Sequence, residues 1–382
     1  MGARAALRGA LSLGLALTAC ATPQVVPTPP PPLHAAVAPS PLSDRGDLMR
    51  VHFIDVGQGL AVLVEFPCAA MLVDTGGELD AQFDSDAALI RYLEAFFARR
   101  SDLGRTLALV ALTHPHIDHT RGVAAVLAHF RVQNAVDNGQ TEGSGAAGQV
   151  ALQQHARRLG DGRHYRAVAL GDIVDPHGLS DAVIDPIRCA DIDPQIRALW
   201  GQVAVDPGWP GRRFGKTPFE NANNHSLVLR VDFGEASVLF SGDLEEPAIR
   251  DLLQRSAGLD VLDVDVWQVG HHGSINGTIP ELAAALSPEI AVFSSGPAAW
   301  QLTWSAWKYG HPRREIVDML AAVLTRQRPE ITVPVGVRGE QFIQQRIDKA
   351  LYDTAWDGTV VVEAWADGRF KVIPLGDEKQ KR

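Results

Sequence analysis

From Met49 onward, hydrophobic and polar positions alternate in short blocks, and the block lengths predict the elements. "MRVHFID" alternates with a period of two, which predicts a strand over 49–55. "VGQG" follows as a glycine turn and "LAVLVEF" as a second strand. "AAMLVDTGG" predicts a third strand ending at Asp74. In "SDAALIRYLEAFFARR" the apolar residues recur every three or four positions, the period of a helix. "TLALVALTH" reads as a buried strand, "RGVAAVLAHF" as a helix, and "QNAVDNG" and "HYRAVALGD" as further strands.

Residues 171–222 lose this rhythm and are rich in Pro, Gly and Asp, as an insertion or an active-site loop would be, with "DIDPQIRALW" as one short helix. The rhythm returns with "HSLVLRVDF-GEA-SVLFSGD", a hairpin. The helix "EEPAIRDLLQRS", the strand "DVDVWQVGHHGS", the helix "IPELAAALS", the strand "IAVFSSG" and the helix "RREIVDMLAAVL" follow. "DGTVVVEAWADGRFKVI" is a closing hairpin. Strands and helices thus alternate in two halves, which predicts an α/β layered domain over 48–376, with a charged tail at 377–382.

The first forty-seven residues follow other rules. "MGARAALRGALSLGLALTAC" has Arg4 and Arg8, a short apolar stretch and small residues before Cys20. This is the form of an export signal over 1–19, too short in its apolar part to span a bilayer comfortably. "LTAC" resembles a bacterial lipobox, which implies lipidation of Cys20 and a membrane anchor without a spanning helix. Ala21 suits sorting to the outer membrane, facing the periplasm. Residues 20–47, with "TPQVVPTPPPPL", read as a proline-stiffened tether. Loss of 1–19 removes Arg4 and Arg8 and takes the formal charge from -10 to -12, which argues against a broad electrostatic grip on nucleic acid. Cys68 and Cys189 remain, either as a disulfide or as two separate thiols.

The chemistry concentrates in "THPHIDHTRG", residues 113–122. In an extended segment His114 and His116 face the same side and can share one metal, while Asp118 and His119, past a bend, can serve a second. Imidazole suits zinc and related ions, and a carboxylate adds charge.

These motifs resemble the H-x-H-x-D-H signature of the metallo-β-lactamase-fold superfamily. "FIDVGQG", "LVDTGG", "NNHSLVLRVDFGEASVLFSGDLE", "VGHHGS" and "YGHPRREIVDML" are similar to the hydrolase domain of ComEC-type competence proteins and its stand-alone relatives. The resemblance implies a four-layer αβ/βα sandwich and two divalent metal ions, zinc or manganese. It implies that His114 and His116 hold the first, that Asp118 and His119 hold the second with His271 or His272, and that Asp243 bridges both. Adjacent residues of a strand face opposite sides, so only one of the two is expected to bind metal, and His271 is preferred. Asp74 would steady the motif loop from behind the ligands, with turn capping as the alternative, and Asn224 is expected beside it. His311, next to Lys308, Arg313 and Arg314, is a candidate for a substrate oxyanion or leaving group, or else marks a helix start.

Two departures stand out. The superfamily's usual middle histidine falls in "ENANNHS", where His225 is a candidate ligand, a supporting neighbour or a surface residue. Leu60 stands where that branch commonly has an acid after "VGQG". The leading function is hydrolysis of phosphodiesters or phosphoesters by a metal-activated water, in which Asp118 takes part. The substrate class is a small or envelope phosphoester, with nucleic acid less favoured by charge. The alternatives are lactone or β-lactam hydrolysis and a metal-stabilised envelope scaffold or binding protein.

Overall fold

The computed structural model describes residues 46–376, apart from 82 and 161. Cys20, the export signal, the tether and the charged tail lie outside the described residues. Among the described residues no helix is long and apolar enough to cross a membrane.

Two large sheets dominate. In the eight-stranded sheet the order is Phe370–Pro374, Val360–Trp365, Leu48–Phe53, Val62–Glu65, Ala70–Val73, Leu109–Ala111, Ala135–Asp137 and Tyr165–Ala167. In the six-stranded sheet it is Leu351–Asp353, Ile290–Phe293, Val266–Gln268, Ala236–Phe240, Val228–Phe233 and Gln195–Trp200. The pleat sorts side chains between layers. Met49, Val51 and Phe53 join Val62, Val64, Met71, Val73, Phe233 and Phe240 in the core between the sheets. Leu63, Leu72 and Val110 point the other way, onto Leu89, Leu93 and Phe96 of the helix Ser85–Arg99. Trp267, Leu239 and Ala291 likewise meet Ile249, Leu282 and Val317 of the helices covering the second sheet. Helices therefore flank two face-packed sheets, the αβ/βα sandwich. Burial on both faces explains why the strands read as nearly unbroken apolar runs.

Even the polar residues of the inner strands are matched. Arg50 donates to Glu363 at 3.0 Å, and Arg100 reaches Glu65 at 2.8 Å. His52 pairs its Nδ1 with the Tyr92 hydroxyl at 2.8 Å.

Two elements differ from expectation. The segment "PQIRALW" is not a helix: Gln195–Trp200 is an edge strand paired antiparallel with Val228–Phe233. Its Ile196, Ala198 and Trp200 are fully buried in alternation, and that burial overrides the helical leanings of "DIDPQIRALW". The long hairpin Gln327–Arg338 with Gln341–Lys349 has no counterpart in the predicted elements. About half of its residues are exposed and only about a quarter are buried, so the apolar pattern is faint there. Cys68 and Cys189 form a disulfide across 121 residues, with 5.5 Å between their Cα atoms.

Ala70–Val73, Leu109–Ala111 and Ala135–Asp137 run parallel, as do Ala236–Phe240, Val266–Gln268, Ile290–Phe293 and Leu351–Asp353. Within each series the loops after the strands leave by the same sheet edge. Those loops carry Asp74, "THPHIDH", Asp243 and "GHHGS". The carboxyl ends of parallel strands are where open α/β sheets assemble their sites.

Candidate metal centre

Asp74 is the fixed point. It lies just beyond Ala70–Val73 and is fully buried. Its Oδ1 accepts the Thr113 backbone N–H at 2.7 Å. Its Oδ2 accepts the Thr113 hydroxyl at 2.7 Å and pairs with His119 Nδ1 at 2.7 Å. One carboxylate thus holds both the start and the end of the histidine segment. Gly76 lets the two loops touch, because a Cβ there would lie 1.7 Å from the Asp118 carbonyl oxygen. Gly242, at φ 52°, gives the bend before Asp243 and packs so closely on Thr113 that a Cβ there would lie 2.8 Å from the Thr113 Cβ.

Around Asp243 Oδ2 stand four imidazoles. The Nε2 atoms lie at 3.2 Å for His119, 3.5 Å for His272, 3.8 Å for His271 and 3.9 Å for His114. Asp118 Oδ2 is 3.4 Å from His272 Nε2. His116 Nδ1 lies 3.0 Å from His114 Nε2. One donor atom from each of Asp118, His119, Asp243 and His272 falls within 4.8 Å of the others. The His119 and His272 Nε2 atoms and Asp243 Oδ1 are buried without a hydrogen-bond partner.

These separations fit a cation better than direct hydrogen bonds. Charge-assisted N–H···O bonds are shorter, about 2.7–2.9 Å. Two ligands of a tetrahedral ion with bonds of about 2.0–2.1 Å stand roughly 3.3 Å apart. Electrostatics points the same way. Burial opposes the ionised form of Asp243, but His119, His272 and His271 outweigh it and hold the acid well below its usual range. Burial also opposes protonation of His272, but Asp243 and Asp118 prevail and push it up to about 10. His119 is raised against its burial by Asp243 and Asp74. His114 is held well below its ordinary value by burial and then by His119 and His116. The paired acids therefore favour positive charge at this cluster, as a site for a divalent ion requires.

The structure gathers His114, His116, Asp118, His119, Asp243, His271 and His272 into one group. It reverses the preference between the last two. His271 and His272 do not lie in a strand: both sit in a tight turn with φ of 49° and 52°, a costly conformation for non-glycine residues. That turn lets both rings face Asp243. His272 is the better placed, because its Nδ1 is fixed by the Ser294 carbonyl at 2.7 Å while its Nε2 points at both acids. His271 has its Nδ1 near Glu245 at 3.6 Å.

His225 does not join the cluster. Its Nδ1 accepts the Val203 N–H at 3.0 Å and its Nε2 pairs with the Phe219 carbonyl at 2.7 Å, so both ring nitrogens are engaged. It lines a separate cleft of about 520 Å³ with Gln140, Lys216 and Phe219. Asn224 is also withdrawn, donating to the Pro218 carbonyl at 2.9 Å. The residue that reaches toward the site is Asn223, whose side chain donates to Glu245 Oε1 at 2.9 Å. Sequence reasoning missed Asn223 and assigned Glu245 only to a helix start. The doubled asparagine was the available signal, but which of the two turns inward depends on the short turn Ala222–His225. Leu60, fully buried, donates its backbone N–H to the Asp118 carbonyl at 3.0 Å, so the main chain steadies the loop at that position.

His311 lies beside the cluster, its ring stacked on His272 with centroids 6.3 Å apart and planes 25° apart. Burial, then the neighbouring His271 and His272, keeps it well below its ordinary pKa. Its Nδ1 is buried without a partner.

Residues 54–296 match the family model described as "Metallo-beta-lactamase superfamily". "Recombination protein 2" of Haemophilus influenzae is 26% identical over 264 residues, 69% of this chain and 25% of that protein. "ComE operon protein 3" of Bacillus subtilis is 27% identical over 293 residues, 73% of this chain and 31% of that protein. The chain thus matches a third or less of the length of either relative. Among solved structures, the metallo-β-lactamase fold protein YhfI of Bacillus subtilis superposes with a TM-score of 0.35 at 13% identity, covering 64% of this chain and 85% of that one.

Proposed function

Because the chain belongs to the metallo-β-lactamase superfamily, we propose that it is a metal-dependent hydrolase that cleaves phosphodiesters or phosphoesters. The observation that carries this is the convergence of four imidazoles on Asp243 Oδ2, with Asp118 alongside. His114 and His116 would hold one divalent ion, Asp118, His119 and His272 a second, with Asp243 between them and His271 at hand. Zinc or manganese suits these donors. Such ions supply Lewis acidity and lower the pKa of a bound water to about 7.

The chain's own residues prepare that chemistry. Asp74 keeps His119 in the tautomer that directs its Nε2 toward the acids. The Ser294 carbonyl does the same for His272. Glu245, held by the Asn223 amide at 2.9 Å, stands 3.6 Å from His271 Nδ1. His311, stacked beside His272, would meet a substrate oxyanion or leaving group. Engagement of His225 elsewhere leaves the middle position without an imidazole ligand, which weighs against lactam cleavage. The name of one relative, "Recombination protein 2", speaks of recombination, which accords with phosphodiester substrates.

The setting proposed is the bacterial cell envelope, by a lipid anchor at Cys20. The disulfide suits such an oxidising compartment. Labelled palmitate should enter the wild type and not Cys20→Ala. The activity is tested with bis-p-nitrophenyl phosphate, a chromogenic lactam and a lactone, with zinc or manganese added. Phosphodiester turnover lost in His116→Ala and Asp243→Ala supports the proposal. Turnover confined to the lactam or lactone, or a metal-loaded protein inert on all three, overturns it.

A further inference from the structure

The segment 300–311 contains Trp300, Trp304, Trp307, Tyr309 and His311. Tyr309 stacks on His311 with centroids 5.6 Å apart and planes 25° apart. His311 stacks in turn on His272, also at 25°. Trp304 meets Tyr309 at 6.3 Å and 49°. All three contacts lie within the range of interacting aromatic rings. A continuous file of rings therefore runs outward from the metal cluster. Its outer members remain open: Trp304 is 76% exposed and Tyr309 39%. Ile117 and Ile275, on the loops that carry Asp118 and His272, are exposed too. Burial and then the charge of Asp118 raise the Tyr309 phenol pKa, which places that ring within the field of the site.

The file is held in advance. Ser305 caps the turn Ala306–Tyr309 by accepting from the Lys308 N–H. Gly310, at φ 70, closes it in a left-handed conformation. The tip of the long hairpin braces it, with the Glu340 N–H on the Trp307 carbonyl at 2.8 Å and an ion pair between Lys308 and Glu340. The Arg313 guanidinium also reaches the Val337 carbonyl at 2.9 Å. A braced aromatic surface loses little freedom when a ligand stacks on it.

We propose that Trp304 and Tyr309 form a stacking subsite that selects phosphodiesters carrying a planar ring beside the scissile bond. This inference rests on the phosphodiester reading and names what that site prefers. A planar ring extends the file that His272, His311 and Tyr309 begin, with its phosphodiester on the side of the metal cluster. Stacking of this kind tolerates differences between rings, because every such ring has a π-face.

The test uses the full chain and two strands of equal length, one of thymidine units and one of abasic sugar-phosphate units. Binding is measured first with metal chelated, so that neither strand is cut. The wild type should bind the thymidine strand roughly five- to hundredfold more tightly. Trp304→Ala and Tyr309→Leu should each remove most of that preference, and Trp304→Phe should keep it. With metal restored, the wild-type preference for the thymidine strand should appear in KM rather than in kcat. Equal binding of both strands by the wild type overturns the inference, as does a preference that persists in both truncating variants. If the wild type cuts the abasic strand but shows no preference, the subsite falls and the phosphodiester reading stands. Turnover of neither strand removes the reading on which the subsite rests.

Discussion

Asp74→Asn isolates the support of the cluster from the cluster itself. Asp74 accepts from the Thr113 N–H and the Thr113 hydroxyl and pairs with His119 Nδ1, each at 2.7 Å, in a fully buried position. Asparagine keeps the size and one carbonyl oxygen, so the Thr113 N–H can remain paired. The amide that replaces Oδ2 can only donate. His119 must then turn its Nδ1 into an acceptor, which puts the proton on Nε2, the atom aimed at Asp243. Hydrogen bonds to charged groups contribute about 1.5–3 kcal/mol. Partners of metal-binding histidines typically change metal affinity about 10- to 100-fold, or about 1.4–2.7 kcal/mol, a matching range. We therefore expect zinc affinity, measured by competition with a chromogenic chelator, to fall by one to two orders of magnitude. The metal-free variant should also lose about 1–3 kcal/mol of stability in urea titration. Wild-type zinc affinity in a folded Asp74→Asn protein would falsify the argument that this carboxylate sets the His119 tautomer.

The remaining predictions concern separate parts of the molecule. His272→Ala should lower the zinc bound per chain, whereas His225→Ala should leave it at the wild-type value, as read by atomic emission on dialysed protein; equal losses would contradict the placement of these two rings. Reduction of Cys68–Cys189, or Cys189→Ser, should lower unfolding free energy by up to about 5 kcal/mol, because the bond closes a loop across 121 residues. An unchanged denaturation midpoint with and without reductant would refute that role. Burial pushes the Asp353 carboxyl up to about 7 despite bonds from the Ala355 N–H and the Ser295 hydroxyl. Its folded pKa thus exceeds the unfolded value of about 3.9, so the native state holds the extra proton and stability falls as pH rises from about 4 to 7. Asp353→Asn should flatten that slope by up to about 4 kcal/mol across the window, in urea titrations at several pH values; a slope identical to wild type would count against it.

Much of this molecule is written locally in the chain. Met49, Val51 and Phe53 alternate with Arg50 and His52, and that alternation alone assigns the strand and its two faces. The spacing of His114, His116, Asp118 and His119 announces a metal-binding segment before any fold is known. Asp243 and the "GHHGS" histidines could be matched to it by resemblance. In each case the information lies within a few residues, because strand pleat and ligand spacing are local properties.

What the tertiary structure decided involved choices between neighbours. Whether His271 or His272 lies closer to both acids depends on two left-handed residues and on the Ser294 carbonyl, which comes from the next strand. Whether Asn223 or Asn224 turns inward depends on a short turn packed against Phe219 and Trp200. His225 carries the right chemistry for a ligand, yet the Val203 N–H and the Phe219 carbonyl claim both its nitrogens. Gln195–Trp200 became a strand because an open sheet edge and a buried face were waiting for it. The ring file from His272 to Trp304 needs a hairpin whose exposed sequence announces little. Such outcomes are set by groups distant along the chain competing for the same hydrogen bonds and the same buried space, and only the folded packing resolves that competition.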